Sequence, residues 1–208
     1  MLAIAGGKGG AGKTTTTACL ARALAEADRA PIAVDGDVDM PDLHVLTGTP
    51  GDPGLAEYAR AASLGAATHS AVELPGVDVL PAGDGDVAAL ETTLSTLDSV
   101  DRPVLVDTPA GASPVVAATL RAASGVLLVS TPTRESLEDA AKTAAMARTL
   151  GTPLYGTVLT KSDGSVEPSD LLGCETLTHV PDVPSPLTDD SALCRYTEVL
   201  TGLNKRNI

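Results

Sequence analysis

Short apolar runs alternate along the chain with longer segments in which apolar residues recur at helical spacing. The runs at 2–5, 32–34, 77–80, 104–106, 126–129 and 154–159 predict strands, and 177–180 predicts a weaker seventh. Residues 14–27 predict a helix directly after the first strand. Asp52 followed by Pro53 predicts an N-cap and a first helical residue, opening a helix to about residue 63. Val87, Leu90, Leu94 and Leu97 line one face of another helix. Ser113 followed by Pro114 starts a helix to about residue 123. Residues 133–150 form a long one, stopped by Gly151 with Pro153 beyond. Thr188 is the expected cap of a last helix to about residue 200. Strands that are apolar throughout, alternating with helices, imply a mostly parallel sheet covered on both faces. The expected fold is a three-layer α/β domain of about seven strands over residues 1–203, with a tail at 204–208. The three prolines Pro181, Pro184 and Pro186 mark a loop.

Composition narrows this picture. Phe and Trp are absent and Tyr occurs three times, so Val, Leu, Ile and Ala must build the core. Acidic residues number 27 against 14 basic ones, a net charge of −13, and only five of the basic residues are Lys. A carboxylate-rich, lysine-poor surface suits solubility at molar salt and argues against tight binding to a phosphate backbone, which needs clustered cations. Cys19, Cys174 and Cys194 are far apart with no CxxC pair, so reduced thiols are expected. His44, His69 and His179 show no ligand spacing. No apolar run approaches about 18 residues, and no leader precedes the first strand, so the expected compartment is the cytoplasm.

The chemistry starts at the end of the first strand. Gly7, Lys8, Gly9, Gly10, Ala11, Gly12, Lys13 and Thr14 fit G-x-x-x-x-G-K-[ST] between a predicted strand and a predicted helix. Glycines let the backbone curl so that several N–H groups face a phosphate, and the helix N-terminus adds partial positive charge. Lys13 is the expected bridge between β- and γ-phosphates, and the Thr14 hydroxyl the expected Mg²⁺ ligand. With Lys8 and Thr15 the loop reads K-G-G-x-G-K-T-T, and in this form it resembles the deviant Walker A motif of the MinD/ParA family of P-loop ATPases. The resemblance implies ATP and Mg²⁺ as cofactors. It also implies an ATP-dependent homodimer in which Lys8 reaches the nucleotide of the other subunit.

Two aspartate-ended strands extend the resemblance. Asp35-Gly36-Asp37 ends the second strand, at the sheet edge where open α/β folds bind ligands. It is similar to the family's switch I, which implies that Asp37 orients the attacking water and that Asp35 acts near the Mg²⁺ shell. Asp39 and Asp42 read as solvated carboxylates. The family often has Asn near the position of Asp42. Asp107-Thr108-Pro109-Ala110-Gly111 is similar to the family's Walker B and switch II, which implies Mg²⁺ held through Asp107 and a γ-phosphate contact from the Gly111 N–H.

Thr160-Lys161-Ser162-Asp163 has two readings. It resembles the guanine-reading [NT]-K-x-D of GTPases, with Asp163 as the reader. It also falls where MinD/ParA proteins carry an adenine-contacting loop. Both put Thr160 and Lys161 near the base, with Pro181 and Asp182 opposite by resemblance, and the Lys8 signature favours ATP. The function expected from the resemblance is an ATP-hydrolysing switch that serves as a spatial regulator of division, polarity, cell machinery or DNA cargo. An unidentified activating or cargo protein would act on it. Combined with the acidic composition, a MinD-like member from a halophilic archaeon is expected. A metabolic or cofactor-assembly enzyme on the same scaffold, a GTPase and a non-hydrolysing nucleotide-binding module are the alternatives. No cysteine lies near Ser113 and Pro114, where iron–sulfur members often carry theirs. Basic patches are absent, which argues against direct DNA binding. Leu193, Tyr196, Leu200 and Leu203 share one side of the last helix, but its polar side is not basic. That favours core packing over a membrane helix, with recruitment to a membrane or cell pole through a partner.

Overall fold

The computed structural model describes residues 1–204. The order of elements is β1 (Leu2–Gly6), α1 (Lys13–Glu26), β2 (Ile32–Asp35), α2 (Leu43–Thr47), α3 (Leu55–Ala59), α4 (Leu64–Ala67), β3 (His69–Ser70), β4 (Asp78–Leu80), α5 (Val87–Leu97), β5 (Val104–Asp107), α6 (Pro114–Ala122), β6 (Gly125–Ser130), α7 (Arg134–Leu150), β7 (Leu154–Leu159), α8 (Ser169–Leu172), β8 (Thr176–His179) and α9 (Asp190–Asn204). They form one sheet in the order β3-β4-β2-β5-β1-β6-β7-β8. Every pairing is parallel except the edge pair, where β3 runs antiparallel to β4.

The alternation of side chains along β1 divides the core. Leu2 and Ile4 join a cluster with Leu20 and Leu24 of α1 and Tyr196, Val199 and Leu203 of α9. Ala3 and Ala5 face the other way, against Val116 and Leu120 of α6 and Ala140, Ala144 and Ala147 of α7. Small residues on both sides of that contact let helix and sheet approach closely. This is how a chain without large aromatics fills its interior. A third cluster sets Ile32, Val34, Val104 and Val106 against Leu90, Leu94 and Leu97 of α5.

The apolar side of α9 is spent on this core: Ala192, Tyr196, Val199 and Leu203 are buried, and Leu193 and Leu200 pack against them. The Tyr196 hydroxyl and the Thr16 hydroxyl lie 3.2 Å apart, tying α9 to the first turn of α1. Among the described residues, no helix is long and apolar enough to cross a membrane.

Several boundaries differ from the expectations. The helix expected from Asp52 to about residue 63 is much shorter, running only over α3 from Leu55 to Ala59, and its cap is Gly54, whose N–H donates to the Glu57 carboxylate at 2.9 Å. Ala61 adopts φ 78, a left-handed conformation that breaks the helical path without any Gly or Pro to announce it. Thr188 is not the last cap. Its hydroxyl donates to the Ser185 carbonyl, while the Asp189 carboxylate accepts from the N–H groups of Ser191 and Ala192 at 3.0 and 3.1 Å. An ionised carboxylate is the stronger acceptor at a helix N-terminus. The last helix also runs beyond residue 200, to Asn204. Residues 205–208 of the expected tail lie outside the described residues. The eighth strand, β3, is too short for its periodicity to register.

Candidate nucleotide site

Strand order alone assembles the site. The carboxyl ends of β2, β5 and β1 are neighbours, so Asp35, Asp107 and the loop after Gly6 emerge side by side. Asp35 and Asp107 are partners in the β2–β5 register.

The loop from Gly7 to Gly12 is shaped by its glycines. Gly10 and Gly12 have φ 79 and 87, which side chains rarely tolerate. A Cβ on Gly7 would stand 2.6 Å from the Ser136 hydroxyl and 3.0 Å from the Val129 carbonyl, so only glycine fits there. Gly9 and Gly10 have open space above them, where a phosphate can approach the backbone. Two hydrogen bonds fix the curl: Gly7 N–H donates to Val129 at 2.8 Å, and Ala11 N–H donates to the Lys8 carbonyl at 3.1 Å. Gly12 occupies the N-cap of the fourteen-residue α1 without a capping side chain, which leaves the helix's first N–H groups for an anion. Thr14 and Thr15 follow on its first turn, both half-buried.

Lys13 is 7% exposed, an ammonium held inside the site. Burial pulls its pKa down, and the carboxylates of Asp107, Asp37 and Asp42 oppose that shift. Asp107 is fully buried, and burial pushes its carboxyl well above the ordinary range, against the hydroxyl of Thr14, which donates to it. Thr17 donates to it as well, at 3.4 Å. A buried carboxyl beside two hydroxyls and a phosphate cradle is a donor set that suits Mg²⁺. That ion takes one or two protein oxygens and completes its shell with substrate phosphates and water. Among the described residues there is no cluster of three or more His, Cys, Asp or Glu side chains that could hold a metal ion by themselves. Thr14 and Asp107 would hold the ion.

The second-strand aspartates divide their labour. Asp35, expected near the Mg²⁺ shell, is wholly buried, and both its oxygens are engaged by backbone: Asp37 N–H at 3.2 Å and Leu43 N–H at 3.1 Å. Burial pushes its carboxyl up to about 7. It pins the loop that carries Asp37. Asp37 is half-buried and accepts from the Met40 N–H at 3.1 Å; burial raises its pKa, and Lys13 pulls it back. Asp39 is exposed, as read from the sequence. Asp42 is exposed too, yet its charge acts on Lys13, Asp35, Asp37 and Asp107. The reading of a solvated carboxylate stands, with Asp42 adding a minor charge effect at the site. Gly111 has φ 76 and nothing within 4 Å of a would-be Cβ, so its backbone is open to an approaching phosphate.

On the other side of the loop, Thr160 packs beneath the phosphate loop. It is buried, and its hydroxyl donates to the Ala11 carbonyl at 2.6 Å, bracing the phosphate loop from below. Ser162 N–H donates to Val180, joining the loop after β7 to the one after β8. That join brings exposed Lys161, whose φ is 51, to the same edge as Pro181 and Asp182. Asp163 accepts from the Ser165 N–H at 2.9 Å, and the Ser165 hydroxyl, followed by that N–H, holds its carboxyl below the usual range. The three cysteines stay apart, Cys19 buried, Cys174 half-buried and Cys194 exposed.

Two residues near the loop carried no sequence signal. Ser136, in the first turn of α7, accepts from Thr131 N–H at 3.1 Å, contacts Ser130 Oγ at 2.9 Å and backs onto Gly7. Glu135 beside it holds Lys8, with Nζ 2.5 Å from Oε2. Lys8 is thus engaged by the first turn of α7 and is 44% exposed.

Residues 2–197 match the family described as the CobQ/CobB/MinD/ParA nucleotide binding domain. Two relatives from Methanocaldococcus jannaschii, both described as uncharacterized ATP-binding proteins, are 31% and 35% identical over 189 and 170 residues. The matches span 86% and 77% of this chain, and 71% and 64% of the relatives' own lengths. The septum site-determining protein MinD of Pyrococcus horikoshii, solved with Mg-ADP, shares the fold: the TM-score is 0.85 over 99% of this chain and 96% of that chain, at 24% identity. A family match over nearly the whole sequence, centred on the phosphate loop just described, makes the chain a member of the CobQ/CobB/MinD/ParA family of nucleotide-binding domains.

Proposed function

We propose that the protein is a Mg²⁺-dependent ATPase that works as a molecular switch, pairing with a second copy when both hold ATP and separating after hydrolysis. The observation that carries this reading is the division of the two loop lysines. Lys13 is buried within its own site, while Lys8 stands half-exposed and paired with Glu135. A cation so exposed is available to neutralise charge on a nucleotide held by another protomer, in the manner of a cation supplied in trans. Within one protomer, Lys13 and the loop N–H groups bind the phosphates, and Asp37 holds the attacking water in line. Mg²⁺, when bound, supplies further charge neutralisation at the β- and γ-oxygens. ATP is preferred over GTP in this reading, because Asp163 is committed to its own loop rather than facing a base.

Membership of a family that includes MinD and ParA supports a role in spatial regulation: of division, polarity, cell machinery or DNA partitioning. The apolar side of α9 is consumed by the core, so a partner protein brings this cytoplasmic switch to its membrane, pole or cargo. The same partner completes the site for rapid turnover. The acidic, lysine-poor surface suits a cell with molar internal salt.

Phosphate release from Mg-ATP tests the assignment. Asp37→Ala is expected to keep nucleotide binding and to lower hydrolysis by about 10²-fold or more, the scale of losing a positioned proton acceptor or water holder. Hydrolysis by that variant at the parent rate would remove Asp37 from the chemistry, and with it the switch I assignment.

A further inference from the structure

The Lys8–Glu135 pair joins residues 127 positions apart, and nothing in the phosphate cradle requires it. Its location is forced by the fold. Ser136 is locked against Ser130, Thr131 and Gly7, so the first turn of α7 cannot drift from the loop. Glu135 is the acidic residue of that turn, where the helix N-terminus favours its negative charge. Lys8 and Glu135 are 44% and 72% exposed, so water and salt reach the pair.

We infer that Glu135 is a positioning residue that holds Lys8 to its own protomer and sets the threshold for nucleotide-driven pairing. This rests on the dimer reading above. Two effects act in the same direction. An ammonium engaged by a carboxylate must leave it before it can neutralise a partner's phosphate. When the protomers meet, Glu135, held by the locked first turn of α7, also brings a negative charge toward a triphosphate. The pair therefore opposes association until the phosphates of bound ATP outbid the carboxylate for Lys8; ADP, with fewer charges, does not.

An exposed pair of this kind shifts an equilibrium by about two- to fivefold, and two such pairs break per dimer. Glu135→Gln should tighten the dimer by about four- to twenty-five-fold. The measurement is the dimer dissociation constant by sedimentation, with Mg²⁺ and a non-hydrolysable ATP analogue, in low and in molar KCl. Glu138→Gln is the control. Glu138 lies on the same helix, pairs with Arg134 and loses the same charge, but does not touch Lys8. The expected result is a tighter dimer for Glu135→Gln alone, an unchanged melting temperature, and a gap from the parent that closes in molar salt.

An equal or weaker dimer for Glu135→Gln overturns the inference and leaves the switch intact, since the parent still pairs with the analogue. Equal tightening by Glu138→Gln also overturns it, in favour of general charge repulsion. A parent that stays monomeric with the analogue at both salt concentrations sinks the dimer reading itself, and the role of Glu135 falls with it.

Discussion

Lys13→Ala should weaken Mg-ATP binding by about 10²- to 10³-fold, the cost of removing one member of a buried charge pair. Lys13 is 7% exposed and surrounded by Asp107, Asp37 and Asp42. In the metal-free protein it is the cation these carboxylates share. With nucleotide bound, its ammonium lies where the phosphates must enter. In this reading its loss removes a phosphate contact and also leaves the Asp37 and Asp42 carboxylates without the cation that offsets them. Titration with a fluorescent ATP analogue reads the effect directly. A variant that binds within a few-fold of the parent would mean that the phosphates lie elsewhere.

The second large effect belongs to Asp107. Asp107→Asn should leave nucleotide binding without metal nearly intact, but abolish the tightening by Mg²⁺ and lower hydrolysis by about 10³-fold, as expected when a metal-assisted step loses its metal. The pH dependence carries a sign. Burial raises the Asp107 pKa in the folded, metal-free protein, so the group still holds its proton at pH values where an ordinary aspartate has lost it. Mg²⁺ must displace that proton. In the parent, apparent Mg²⁺ affinity in the presence of ADP therefore strengthens as pH rises through the raised pKa and weakens as pH falls. The Asn variant should show no such slope. Calorimetry in buffers of different ionisation enthalpy would detect the released proton. A pH-independent Mg²⁺ affinity in the parent would show that Asp107 is not where the metal acts.

Much of the site was legible because its chemistry is local. The curl from Gly7 to Gly12 needs glycines at fixed offsets between a strand and a helix, and that requirement is written in consecutive residues. The two aspartates that end apolar strands were legible for the same reason, since a strand end in a parallel sheet points to the ligand edge. What escaped was the long-range pairing. Glu135 meets Lys8 only because β1 and β6 are neighbours in the sheet and α7 starts just beyond β6. Thr160 was read as lying near the base, and the contact of its hydroxyl with Ala11, set by the approach of β7 to the loop, left no trace in the sequence. Asp35 shares its strand with the predicted motif, but its buried carboxylate is turned onto backbone N–H groups by the path of the chain to α2. The fold was read with the same division. Long periodic elements such as α7 matched to within a residue. The stretch from Asp52 onward failed, because a left-handed Ala61 ends its first helix with no turn residue to mark it.

The dimer switch is tested most directly by solution mass. Light scattering on the purified protein in molar KCl with Mg²⁺ should show one protomer mass with ADP or GTP and twice that mass with ATP. Lys8→Ala should remain at the single mass in every case. A mass that ATP leaves unchanged, or that GTP alone doubles, would contradict the ATP-gated switch.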